Sequence, residues 1–402
     1  MHKSAIRPGS NFNRQGGSIF HQRQHALFYN TLDNPSFLAA LDLLPHEKEY
    51  INQAKNEIRT TLRASLKECL SKVLHDHGLS DLKIEPKFYI QGSWAYKTLN
   101  RPHTTPPQQS DLDDGVYLPM SIMKEHQKPS VASALFFEAT EAALAPLVKE
   151  KKIWRMSQKP TCIRIEISDF AHIDIPLYAI PDEDFLLLKE SMEARGYAAL
   201  TYAMDSAKDR WTALPTDHVL LAHREDDWIK SDPRAMKEWF VQAVEDHGPQ
   251  LRRVVRYLKA FRDKTWSKGG PSSILLMAAA VSVFEQRRAR DDQALRDVVR
   301  QIPAAFREGV RSPIDAEVYL TDSLTPDELE DAAVQFEAFF NYLDGAINAS
   351  DKQTACNWMR HVLGTRFPNR ADLVIAVSVS EIVQATPAEP GPHELVKTTK
   401  AG

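Results

Sequence analysis

Between Pro45 and Leu74 the apolar residues Ile51, Ala54, Ile58, Leu62, Leu66, Cys69, Leu70 and Val73 recur mostly at spacings of three and four, which predicts one long amphipathic helix. At 1.5 Å per residue, ~30 residues run roughly 45 Å, enough to lie behind two lobes as a spine. The period then changes. Lys83 to Ile90 reads as a strand, and Cys162-Ile163-Arg164-Ile165-Glu166-Ile167 alternates apolar with polar. Phe170-Ala171-His172-Ile173-Asp174-Ile175-Pro176 alternates again, with Ile173 and Ile175 on one face and His172 and Asp174 on the other. Ser168-Asp169 breaks the two runs, so they form a hairpin that brings Arg164 near Asp174. Strands and short helices dominate from Lys83 to Pro181, and helical periodicity takes over after about Lys189. The expected architecture is α+β. A flexible arm (1–24) precedes a catalytic core with the spine helix (25–188), a helical lobe that completes a cleft (189–384) and a flexible, Pro-containing tail (385–402).

Composition narrows the class without choosing a chemistry. With 402 residues, 43% apolar and 26% charged, the chain is long enough for two cored lobes and is neither disordered nor fibrous. No run reaches the ~20 apolar residues of a membrane span and the amino terminus lacks a hydrophobic centre, so a cytoplasmic protein without membrane contact is expected. The three cysteines, Cys69, Cys162 and Cys356, have no metal-site or disulfide spacing. A net charge of −4 argues against a protein that grips long nucleic acid, and no DNA or RNA activator is expected. Mononucleotides suit it better.

Two segments carry the chemistry. Gln91-Gly92-Ser93 follows a strand and opens a helix, the setting of a phosphate cradle. After the Pro-rich loop 100–110, which is either a lid or an exposed insertion, comes Asp111-Leu112-Asp113-Asp114-Gly115. On a strand Asp111 and Asp113 share a face and repel, which a divalent cation relieves, and Asp174 on a neighbouring strand supplies a third carboxylate. Paired ions held this way clamp the two oxygens of an in-line phosphoryl displacement. In the helical half, Leu251, Val254, Val255 and Leu258 share one face of a helix while Arg252, Arg256 and Lys259 share another. The cations form either a solvated face or a triphosphate site. Gly269-Gly270-Pro271-Ser272-Ser273 favours the latter, because Ser272 and Ser273 open an apolar helix whose first N–H groups face outward, for capping or for phosphate. Ser231-Asp232-Pro233 reads as another helix start, with Asp232 as cap.

Together with Thr98-Leu99-Asn100-Arg101-Pro102, Tyr178-Ala179-Ile180-Pro181 and Lys230-Ser231-Asp232-Pro233, these stretches resemble the bacterial cGAS/DncV-like nucleotidyltransferases, nearest the cyclic GMP-AMP synthase branch of CBASS anti-phage systems, over about residues 45 to 315. The resemblance implies a polymerase-β-like core with a mixed sheet and a helical lobe. It also implies synthesis of a cyclic dinucleotide, acting on a separate effector, from ATP and GTP with two Mg²⁺ ions, Mn²⁺ being the alternative. By the same resemblance Asp111, Asp113 and Asp174 are the catalytic metal ligands. Gln91-Gly92-Ser93, Arg164, Ser231, Lys259, Ser272 and Ser273 are placed at donor phosphates, and Tyr96 at an acceptor base. Some relatives are inhibited by folate-like molecules through arginines on the spine helix. Here only Arg59 and Arg63 remain of that cluster, and folate control is not expected. The chain ends Lys400-Ala401-Gly402, which suits conjugation by a ubiquitin-like ligase or is an ordinary loose end. The rivals to this reading are a transferase acting on tRNA, protein or a linear oligonucleotide, and a catalytically silent nucleotide-binding regulator.

Overall fold

The computed structural model describes residues 20–32, 34–76, 86–119, 129–180, 219–225, 228–231 and 233–378. Gly402, Asp232 and nearly all of the expected amino-terminal arm lie outside the described residues. Phe20–Arg23 (β1) is described, and it pairs antiparallel with Ile375–Ser378 (β9).

The catalytic lobe is built on a mixed sheet. Its strands are Lys87–Gln91 (β2), Ser110–Pro119 (β3), Arg155–Gln158 (β4), Cys162–Ser168 (β5) and Ala171–Ile180 (β6), in the order β2-β3-β6-β5-β4. The β3–β6 pair is parallel; the other pairs are antiparallel. The expected hairpin is present, and Asp174 stands directly opposite Arg164 in it. Beyond Pro176, which pairs with Cys162 at the start of β5, Leu220–Leu221 (β7) takes over as the neighbour of β6 and in turn pairs with Ile229–Lys230 (β8).

The spine helix (α3) runs from Pro45 to Asp76. Its stripe of Ile51, Ile58, Leu62 and Leu66 is buried against Leu112, Val116, Ile163, Ile165, Ile173 and Ile175 of the sheet. Each such side chain contributes about 1.5–3 kcal/mol by leaving water. Pro129–Glu150 (α5) lies along α3 and adds Leu135, Phe136 and Phe137 to this core. A helix of that length departs from the expectation of strands and short helices here. Its run Ala-Leu-Phe-Phe with further alanines has apolar side chains on several sides, so no clean stripe marks it.

The helical lobe holds Pro233–His247 (α6), Gln250–Thr265 (α7), Ser273–Val281 (α8), Asp291–Glu308 (α9), Pro326–Ile347 (α10) and Lys352–Leu363 (α11). The sequence places residues 25–44 with the catalytic half, yet Leu27 and Phe28 of a short helix (His25–Phe28, α1) and Phe37 of another (Phe37–Ala40, α2) are buried in the helical lobe's core. Phe28 meets the rings of Tyr257 and Phe367 at 5.1 and 5.0 Å between centroids. From Leu27 onward the chain thus passes from the helical lobe to the catalytic lobe and back. No helix among the described residues is long and apolar enough to cross a membrane.

Candidate active site

Strand pairing alone assembles the acidic wall. Asp111 is registered with His172 and Asp113 with Asp174 across the parallel β3–β6 pair, while Gln91 at the end of β2 faces Asp113. The alternation of β3 then splits two adjacent acids. Asp113 faces the cleft, whereas Asp114 is 2% exposed and accepts a bidentate pair of bonds from Arg59 of α3. Arg59 and Arg63 both lie over the Phe88 ring, at 5.3 and 4.8 Å.

On the cleft side the carboxylates differ in their neighbours. Arg164 donates to both Asp174 oxygens at 2.7 Å. Asp113 has no such partner, and burial together with the nearby charges of Asp111 and Asp174 holds its carboxyl well above the usual range. Gly92 is required beside it: the residue sits at φ +62°, and an added Cβ would fall 1.9 Å from Asp113 Oδ2. Among the described residues Asp111, His172 and Asp174 bring ligand atoms within 4.8 Å of one another; Asp113 is not in this set and packs against the Gly92 backbone. Asp111 Oδ1 and His172 Nε2 are both buried without a hydrogen-bond partner, 3.1 Å apart. Converging carboxylates with an orphaned oxygen and nitrogen fit a divalent cation.

Asp111 and Asp113 line a cleft of about 630 Å³ whose lining also includes Gly92, Ser93, Tyr96, Arg164, Lys259, Arg262, Lys268, Ser272 and Ser273; Asp174, held by Arg164, is not itself in the lining. Of the expected phosphate contacts, Gln91 and Ser231 are not in this lining. The Gln91 amide donates to Tyr178 Oη at 2.8 Å, beneath stacked Tyr117 and Tyr178, and the Ser231 N–H donates to Val219 O. The short helix after the cradle, Gly92–Ala95 (α4), has one turn only. Tyr96 borders the cleft but is 5% exposed, its ring edge-on to Phe240, and burial and Asp113 push its phenol upward.

On the opposite wall the cationic flank of α7 is neither a solvated face nor wholly a phosphate site. Arg252 donates to Tyr96 O, Arg256 to Asn100 Oδ1 and Asp42, and Lys259 to Thr98 O, so the stripe clamps the chain that follows the cradle. Burial and the neighbouring Arg262 bring Lys259 down to about 7. Arg262, not singled out by the sequence, continues the stripe one turn on and donates to Ser273 Oγ, while Ser272 caps α8 by accepting from Leu275 N–H. The Pro-rich loop is pinned between lobes: Gln108 donates to the carbonyls of Asp263 and Trp266, and Gln109 bridges Ser168 O and His172 Nδ1.

Both halves of the cleft have counterparts in known proteins. Residues 86–178 match the cyclic GMP-AMP synthase DncV-like nucleotidyltransferase domain, and residues 248–376 match the cyclic GMP-AMP synthase C-terminal domain. A cyclic GMP-AMP synthase of Vibrio cholerae is 34% identical over 338 residues, 80% of this chain and 77% of the relative. One of Escherichia coli is 31% identical over 339 residues, with the same coverage. The fold agrees with the crystal structure of Vibrio cholerae DncV in complex with the linear intermediate 5′ pppA(3′,5′)pG at a TM-score of 0.74 and 28% identity, covering 89% of this chain and 100% of that one. Similarity of this extent, spanning the acidic wall and the helical wall alike, places the chain in the DncV-like cyclic GMP-AMP synthase family of nucleotidyltransferases.

Proposed function

We propose that this enzyme joins ATP and GTP into 3′,3′-cyclic GMP-AMP by two nucleotidyl transfers, each releasing pyrophosphate, as the signal-making step of a bacterial anti-phage (CBASS) response. Family membership supports cyclic dinucleotide synthesis, and the observation that carries the mechanism is the registration of Asp113 with Asp174 and of Asp111 with His172 on neighbouring strands, with Asp111 and Asp113 lining the cleft. Two divalent ions, Mg²⁺ or Mn²⁺, held by these carboxylates would ease loss of the acceptor hydroxyl's proton and neutralise charge on the reacting phosphates.

The chain's own residues then position. Gly92 and Ser93 approach the donor triphosphate, with Arg164, Lys259, Arg262, Ser272 and Ser273 around the cleft as its further partners. Tyr96 borders the acceptor base, as an edge contact in view of its burial. The acceptor ribose oxygen bonds to the donor α-phosphorus as the α–β bridging P–O bond breaks, so the work of the protein is alignment and charge compensation. The linear dinucleotide turns round and closes in the same cleft. The product acts on a separate effector, and Gly402 is the point at which a ubiquitin-like ligase would attach the chain to other molecules.

Incubation with each pair of ribonucleoside triphosphates, followed by mass spectrometry, tests the reading. A phosphatase-resistant cyclic product from ATP plus GTP is expected. A linear oligonucleotide, labelled RNA or protein, or nucleotide binding without turnover in Mg²⁺ or Mn²⁺ would overturn it. For the terminus, a conjugate should form with the cognate ligase and ATP and be lost in Gly402→Glu.

A further inference from the structure

We propose that His172 is a nitrogen ligand in the cation site, so that one of the two positions is built from mixed oxygen and nitrogen donors and not from carboxylates alone. The inference deepens the proposed function and rests on it for the presence of divalent ions. It starts from a tautomer. Gln109 Nε2 donates to the carbonyl of Ser168, which can only accept, so the atom that Gln109 turns to the imidazole is its oxygen. That oxygen also only accepts, and it lies 2.9 Å from His172 Nδ1, so Nδ1 carries the ring's proton. Nε2 is then the ring nitrogen left for a further ligand. It lies 3.1 Å from Asp111 Oδ1 and 4.0 Å from Asp174 Oδ1.

Among the described residues neither Nε2 nor Asp111 Oδ1 has a hydrogen bond to satisfy it, and a divalent cation beside them would satisfy both. Arg164 does not serve, because its guanidinium is spent on both oxygens of Asp174. His172 is 7% exposed, and its Nε2 and Asp111 Oδ1 are both buried without a hydrogen-bond partner. A ring held at one nitrogen by an amide whose other end is anchored to backbone, with the second nitrogen close to two carboxylates, is the arrangement by which proteins orient a ligating histidine. An imidazole donor suits transition-series divalent ions better than Mg²⁺, which prefers oxygen. The site is therefore biased toward a transition-series ion at that position.

The test reads the metal directly. Mn²⁺ with inorganic pyrophosphate, neither of which contains nitrogen, is bound to the full chain, and electron spin-echo modulation is recorded. Coupling to an imidazole ¹⁴N is expected in the wild type and absent in His172→Gln, with Mn²⁺ affinity lower by on the order of tenfold or more. Gln109→Ala should keep the coupling and weaken Mn²⁺ binding by a smaller factor, which a ring of merely structural importance would not do. Unfolding curves of each variant establish that the fold persists. A wild type that binds Mn²⁺ and makes product with no ¹⁴N coupling, or coupling that survives in His172→Gln, overturns the ligand assignment while leaving the enzyme reading intact. A wild type that shows ¹⁴N coupling but no turnover would overturn the enzyme reading instead.

Discussion

The two walls of the cleft answer their own charge in opposite ways. On the strand wall, acids are gathered and left short of partners among the described residues: burial and its acidic neighbours raise the Asp113 carboxyl, and Asp111 Oδ1 and His172 Nε2 have no hydrogen bond. On the helical wall, positive groups are gathered and mostly used up, with Arg252, Arg256 and Lys259 each bonded to the segment from Tyr96 to Asn100. The strand wall holds strain that added positive charge relieves, while the helical wall spends charge on holding the lobes together. Function and stability therefore separate by wall, and to a degree by neighbouring residues.

The largest effect should come from the alternation of β3. Asp113→Ala is expected to lower turnover by on the order of 10³-fold or more, since no other group replaces its charge at the reacting phosphate. Asp114→Asn, one residue on, should leave turnover within about tenfold but cost roughly 3 kcal/mol in urea unfolding, because Arg59 loses its buried partner. Equal loss of activity in both variants would erase the distinction between the faces of the strand.

A second pair sharpens the helical wall. Arg256→Ala, which removes bonds to Asn100 and Asp42, should cost about 2–3 kcal/mol of stability. Arg262→Ala, at the cleft, should instead raise KM for nucleotide by about tenfold, roughly 1.4 kcal/mol. The same stability loss in both would mean that the wall does not divide its labour.

Lys259 bridges the two roles, and pH isolates it. Its folded value of about 7 lies below the ordinary 10.5, so between these values the unfolded chain binds more protons and stability rises with pH. Below about 7 the folded state carries a buried charge. Denaturant unfolding of wild type and Lys259→Met at pH 7 and 9.5 should show this rise in the wild type and a flatter profile in the variant. The smallest effect is local: Ser272→Ala removes the cap of α8 and should cost about 1 kcal/mol of stability in urea unfolding.

These contrasts also explain what the sequence reveals. Asp111, Asp113, Asp174 and the Arg164 pairing are legible because a strand's two-residue period fixes which side chains share a face, and neighbouring strands need only match register. The spine helix is legible through its stripe. The fate of the α7 cations is not, because their acceptors lie far off in the chain: Arg256 meets Asn100 across 156 positions and Lys259 meets Thr98 O across 161. The burial of Tyr96 is hidden for the same reason, since Phe240 covers it from the other lobe. His172 leaves a faint signal, two residues before Asp174 on the same face, but only Gln109 and Ser168 show what its ring nitrogens do.

The crossing of the chain between lobes has a consequence for how the molecule is born. Tyr257 Oη donates to the carbonyl of Phe28, 229 residues earlier, so half of that contact leaves the ribosome long before the other exists. The catalytic lobe, contiguous in sequence, can close during this wait, whereas Leu27, Phe28 and Phe37 must stay exposed until α7 is made. Pulse-labelled hydrogen exchange during refolding should accordingly protect Ile163–Ile175 before Leu27–Leu41, and a chaperone that shields apolar segments would find its target in Leu27, Phe28 and Phe37.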